Sequence, residues 1–159
     1  MIDRDERAMS ITVTHVLTIG ITTILIATLL TSAGGLLDTE TERSADRSLE
    51  TIGERIAGEI ESVDRIAADG DAEHVNVTAE HPKTVANAGY RVELRENCDT
   101  ALLDGTDCLK LTASNGDVDV YVPVVTEELP LEPGSSAHGG TIEIYVTDAD
   151  RIAIRGVNR

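Results

Sequence analysis

Hydrophobic and polar positions along the chain follow three different patterns. Residues 10–37 contain no Asp, Glu, Lys or Arg, directly after the charged cluster Asp3-Arg4-Asp5-Glu6-Arg7. A helix needs about 20 mostly apolar residues to cross a bilayer, so this run is long enough. From Leu49 to Ala67 the apolar residues Leu49, Ile52, Ile56, Ile60, Val63 and Ala67 recur at three- and four-residue steps, the spacing of one helix face. Glu and Arg fill the opposite side. Past Asp71 the period becomes two. Val75, Val77 and Ala79 alternate with polar neighbours, as do Tyr90, Val92 and Leu94, then Leu109, Leu111 and Ala113. Val118 to Val124, Ile142 to Val146 and Ile152 to Ile154 repeat the pattern. Strands that are apolar on one side belong to an antiparallel sheet with one wet face. The expected fold is α+β, with about six strands. A long N-terminal helix, membrane-spanning and then amphipathic, carries a small antiparallel β-sheet head packed on its C-terminal half.

Breaks in the pattern divide the chain further. Gly34-Gly35 reads as a hinge inside one long helix, while Asp38 and Thr39 offer the N-cap of a second helix. Asp69-Gly70-Asp71 ends the amphipathic stretch. Asn87-Ala88-Gly89, Asn115-Gly116-Asp117 and Asp148-Ala149-Asp150 are turn signals, and Asn115-Gly116 suits a tight hairpin. Thr126 to Gly140 is rich in Pro, Gly and Ser and reads as a long mobile loop. The resulting organisation is a cytoplasmic leader (1–8), a transmembrane helix (9–37), an amphipathic helix (38–70) and a β-rich head (71–159).

The uncharged run has three readings: an export signal, a plain anchor, or a helix that packs against copies of itself. Secretory signals carry an apolar region of about 7–15 residues, and the nearest cut site would be Thr31-Ser32-Ala33-Gly34-Gly35. Gly20, Thr23, Ala27, Thr31 and Gly34 lie along one side of a helix, and small residues in a stripe let backbones approach closely. The threonines can equally bond back to their own helix and do nothing more. Arg4 and Arg7 precede the run, which favours an N-terminus in the cytoplasm and a head outside. An external head agrees with the even pair Cys98 and Cys108 and with the sequon Asn76-Val77-Thr78, a glycosylation candidate.

Charge removes some partners. The formal net charge is −16, from 29 acidic and 13 basic residues, and Lys occurs only at Lys83 and Lys110. Such a surface repels nucleic acid, and the absence of Trp and Phe removes stacking platforms for bases. High acid content with little Lys fits a protein kept soluble in concentrated salt; a plain acidic surface is the alternative. Cys98 and Cys108 flank a loop between two strands and suit a disulfide better than a metal, for which two further ligands are missing. The histidines His15, His74, His81 and His138 follow no metal spacing, and Ser135 and Ser136 beside His138 lack a nucleophile turn. Neither an enzyme nor a cofactor is expected.

The leader and helix together resemble a known group. A charged segment ending Arg7-Ala8, followed by Met9-Ser10-Ile11 and a long uncharged helix, is similar to the class III signal of archaeal type IV prepilins. That resemblance implies cleavage after Ala8 by a membrane prepilin peptidase on the cytoplasmic side. It also implies a helix that anchors the mature protein in the bilayer and later packs among other pilin-type subunits in a filament. Val13, at the fifth mature position, stands where bacterial pilins carry Glu, which favours the archaeal group, and the acidic head resembles pilin-like proteins of its halophilic members. Processing would involve Arg7, Ala8 and Met9, and helix packing would involve Gly20, Thr23, Ala27 and Thr31. The alternative is a single-span protein whose head binds a partner at the cell surface without polymerising.

Overall fold

The computed structural model describes residues 3–68, 75–100, 103–114 and 118–157; the side chains of residues 3–11, 37 and 38 lie outside that description. One helix, α1 (Asp3–Ala68), precedes eight strands: β1 (Asn76–Glu80), β2 (Thr84–Val85), β3 (Ala88–Thr100), β4 (Leu103–Ala113), β5 (Asp119–Pro123), β6 (Ser136–His138), β7 (Thr141–Val146) and β8 (Ile152–Gly156). The fold is α+β. The chain divides into two compact units, Met1–Glu40 and Thr41–Arg159.

In the first unit the helix passes through Gly34-Gly35 unbroken. Thr39 Oγ1 donates to Gly35 O at 3.0 Å, a bond of the helix interior and not of an N-cap. The stretch is therefore one helix, and Asp38–Thr39 starts no new one. The expected stop at Asp69-Gly70-Asp71 falls outside the described residues, as does the hairpin at Asn115-Gly116-Asp117.

In the second unit the amphipathic stripe is buried as its spacing demands. Leu49, Ile52, Ile56, Ile60 and Val63 join one core with Val92, Leu94, Leu109, Leu111, Val120, Ile142, Ile144 and Ile154. Two residues fix how closely helix and sheet meet. Gly53 has no side chain because none fits: an added Cβ would stand 2.6 Å from Val122 Cγ2 and 2.9 Å from Leu111 Cδ1. Asp64, four residues after Ile60 on the buried side, is 3% exposed. Its carboxylate accepts the backbone N–H groups of Glu127 at 2.7 Å, Glu128 at 3.3 Å and Leu129 at 2.8 Å. A buried charge is tolerable only when so satisfied.

The strands form two antiparallel sheets and not the single one expected. One is three-stranded with order β1-β7-β8; the other runs β2-β3-β4-β5, with β6 also pairing β3. The two strands beyond the expected six, β2 and β6, are too short for alternation to reveal. The Ala86-Asn87 turn between β2 and β3 holds both residues at positive φ, 44° and 63°, which matches a two-residue hairpin turn. Ala88 and Gly89 are strand, so the turn lies earlier than Asn87-Ala88-Gly89 suggested. Asp148 to Asp150 does turn, with Asp150 N bonded to Thr147 O at 3.0 Å.

The segment from Thr126 to Gly140 is the clearest departure from the sequence reading. It is not a free loop. Beyond the Asp64 clamp, Leu131 is fully buried, and Ile152 N donates to Pro130 O while Glu132 N donates to Ile152 O. A few residues on, Gly134 N donates to Leu94 O, Leu94 N donates to Ser135 O, and β6 pairs β3. The segment thus bonds to β8 of one sheet and β3 of the other, stitching them together.

Cys98 and Cys108 form a disulfide with Cα atoms 6.0 Å apart. They lie within strands, not in a loop between them: β3 and β4 make one long hairpin in which Arg95 faces Cys108 and Cys98 faces Thr106 across a bulge. Asn97 sits at that bulge with φ 51°, its N–H on Asp107 Oδ1 at 3.1 Å. Closing this short loop contributes about 2.5–3 kcal/mol in the chain-entropy account.

Two expectations follow. Gly53→Leu forces the helix off the sheet and costs about 1–3 kcal/mol in chemical denaturation. Asp64→Asn replaces one acceptor oxygen by a donor facing backbone N–H groups. It should cost about 2 kcal/mol and raise hydrogen exchange at residues 127–129 before the rest of the head.

Candidate functional site

Residues 12–36 of α1 are exposed throughout, including Val13, Val16, Leu17, Ile19, Ile21, Ile24, Leu25, Ile26, Leu29, Leu30 and Leu36. Thr12–Ala68 contains one stretch long and apolar enough to cross a membrane, with mean hydropathy 2.0 and none of it buried. Water does not tolerate a bare apolar helix of this length, so the segment belongs in lipid or against protein.

The threonine hydroxyls from Thr18 to Thr31 are directed inward. Thr18 Oγ1 donates to Thr14 O at 2.8 Å, Thr22 to Thr18 O at 2.7 Å and Thr23 to Ile19 O at 2.8 Å. Thr28 and Thr31 bond Leu25 O and Ala27 O, each at 2.9 Å. What these threonines present outward is mainly methyl. Gly20, Thr23, Ala27 and Thr31 lie along one side as their spacing requires. At Gly20 an added Cβ would meet nothing within 4 Å, and a shallow groove of about 470 Å³ opens there among Val13, Val16, Leu17 and Ile24. Arg7, Ala8 and Met9 belong to the helix by backbone, but their side chains lie outside the described residues. His15 is exposed on the apolar segment, and His74 lies outside the described residues.

On the second unit the polar side chains gather into small sets. His138 Nε2 and Ser136 Oγ both accept from Arg91, at 3.1 Å each, so the arginine stands between them. His81 has a fully buried side chain with Nε2 3.2 Å from Glu59 Oε2; its Nδ1 has no hydrogen-bond partner among the described residues. Tyr90 donates to Pro82 O at 2.8 Å, and burial pushes its hydroxyl up to about 12. On β4 and β5, Thr112 Oγ1 donates to Asp119 Oδ1 at 2.6 Å and Lys110 Nζ stands 3.0 Å from Asp119 Oδ2. Those two bonds, Thr112 first, hold Asp119 below the usual carboxylate range.

The outer face of the three-stranded sheet carries the set that sequence reasoning missed. Glu143, only 8% exposed, accepts Arg155 Nε at 2.7 Å on one oxygen and Asn76 Nδ2 at 3.0 Å on the other. Arg155 also lies over the Tyr145 ring, 4.6 Å from its centroid. The signal in sequence was slight: Glu143 stands between Ile142 and Ile144 like any outward residue of a strand. Asn76 is exposed on this face, as the alternation of β1 requires.

Compared with known proteins, the chain matches over residues 4–155 a family described as "Family of unknown function (DUF7266)". The chain belongs to that family. The DUF7266 match takes in the apolar segment of α1 and the strands alike. No curated protein and no solved structure matches the chain.

The pH dependence of the head follows from Glu143. Arg155 first, then Asn76, lowers its pKa from the ordinary 4.5. Stability from a depressed carboxylate is present above its unfolded pKa and is lost as pH falls through the folded value. Thermal melts of the wild type should therefore weaken below pH 4.5. Glu143→Gln should lower the melting temperature at neutral pH and flatten the acid limb.

Proposed function

We propose that this chain is a pilin-like subunit, anchored through α1 and assembled through the same helix into, or onto, a cell-surface filament for adhesion or surface interaction. The observation that carries the proposal is the unbroken helix whose residues 12–36 are apolar, exposed and notched at Gly20. The family match takes in the whole uncharged run together with the head. A disposable export signal would not need the small-residue side.

On this reading the leader through Ala8 is removed by a prepilin peptidase, and the new N-terminus is Met9. The loss of five charged residues, Asp3 to Arg7, leaves an apolar end able to leave the bilayer and pack among other subunits. The Ser10–Leu37 stretch then exchanges lipid for protein contacts, which close approach at Gly20, Thr23, Ala27 and Thr31 makes favourable. The head, outside the cell, supplies the hydrated surface, and its acidic charge suits concentrated salt.

The test is the mature N-terminus and its location. Expressed with its own peptidase, the protein should begin at Met9 and be recovered in sheared filaments. Substituting Glu at both Arg7 and Ala8 should block processing and keep the protein in the membrane. Thr23→Leu with Ala27→Leu should leave processing intact and reduce filament recovery roughly tenfold. A protein that still begins at Met1 and stays wholly in the membrane fraction would overturn the filament reading in favour of a single-span anchor with a partner-binding head.

A further inference from the structure

Asn76, Thr78, Glu143, Tyr145 and Arg155 share one face of the three-stranded sheet. Asn76 and Thr78 are two apart on β1 and therefore point the same way. Their cross-strand partners on β7 are Tyr145 and Glu143 respectively, and Glu143 in turn faces Arg155 on β8. Both sequon residues are exposed, and β1 is an edge strand of its sheet.

We propose that Asn76 is an N-glycosylation site built for occupancy: Glu143 holds the amide and the Tyr145 ring seats the first sugar. The inference rests on the outward-facing head proposed above. In the transfer, Nδ2 attacks the anomeric carbon of a lipid-linked sugar phosphate. The N–C bond forms, the bond from that carbon to the phosphate oxygen breaks, and one Nδ2 proton is lost as the lipid phosphate departs. The product amide keeps one N–H. That hydrogen can still serve Glu143 Oε1, which Nδ2 already approaches at 3.0 Å, so the modification need not break the network.

Tyr145 is the reason to expect more than a tolerated attachment. Tyr145 is half-buried and lies directly across from Asn76 in the register. Arg155 reaches the ring from β8, the strand on the far side of β7 from β1, while Ala153, the other cross-strand neighbour of Tyr145, takes little room. The apolar face of a sugar attached on the β1 side meets an aromatic surface, a contact that buries C–H groups against a π-system. A glycan here also shields the edge of β1 that pairs no strand among the described residues.

The experiment uses full-length protein from its native host. Protease shaving of intact cells first establishes that the head is external. The tryptic peptide Ile66–Lys83 is then weighed. The expected result is a glycan mass on Asn76, absent in Thr78→Ala, retained in Thr78→Ser, with Asn76 itself unchanged in both. Occupied wild-type protein should melt a few degrees above Thr78→Ala. In Tyr145→Leu occupancy should persist while that difference disappears. An external head with an unmodified peptide overturns the site and leaves the membrane reading standing. A head sheltered from protease overturns both. Occupancy with the same melting difference in Tyr145→Leu overturns the role of the ring.

Discussion

Everything in the second unit depends on covering the apolar stripe from Leu49 to Val63. An isolated helix with that face would expose five large aliphatic side chains, and helical propensity alone does not hold such a segment in water. The sheets provide the cover, and their one-sided alternation exists to supply it. Gly53 sets the distance of closest approach against Val122 and Leu111, so the interface is specified by an absence of volume as well as by what fills it. Asp64 then ties the far end of the same helical face to the backbone of residues 127–129. Apolar contact gives the interface its strength; these two residues give it one register.

The parts legible in the sequence are those that depend on local period. The uncharged run, the amphipathic stripe and the six main strands were each visible because burial imposes a repeat of 3.6 or 2 on neighbouring residues. The exposure of Asn76 followed from the same rule. What escaped depends on partners far away in sequence. The split into two sheets is decided by β1 pairing β7, and nothing near Asn76 announces Tyr145. The segment Thr126–Gly140 carries Pro130, Pro133 and Gly134, ordinary signs of a free loop. It is ordered by a carboxylate 63 residues upstream of Glu127 and by the edges of β3 and β8. The cysteines illustrate the same limit. Their pairing was readable, but their place inside a bulged hairpin was not, because strand ends are set by cross-strand bonds.

The candidate site was legible to a similar depth. Spacing put Gly20, Thr23, Ala27 and Thr31 on one side of α1, since only a helix repeat was needed. The Glu143 network was not, because it joins three strands through side chains from positions 76, 143 and 155. A polar cluster assembled by register leaves no local mark except the sequon itself.

The threonines of α1 have a consequence for how such a helix chooses its surroundings. Each described hydroxyl from Thr18 to Thr31 is already engaged by a carbonyl three or four residues back. Those five hydroxyls therefore carry the same hydrogen bonds in any medium. Transfer from one environment to another breaks none of these contacts, whereas polar side chains such as His15 must be solvated anew. For the threonine side, the free-energy difference between environments reduces to how well surfaces fit, and fit depends on the contour that Gly20 and Ala27 cut into the helix. Along its threonine side, a segment of this kind discriminates between neighbours mainly by shape.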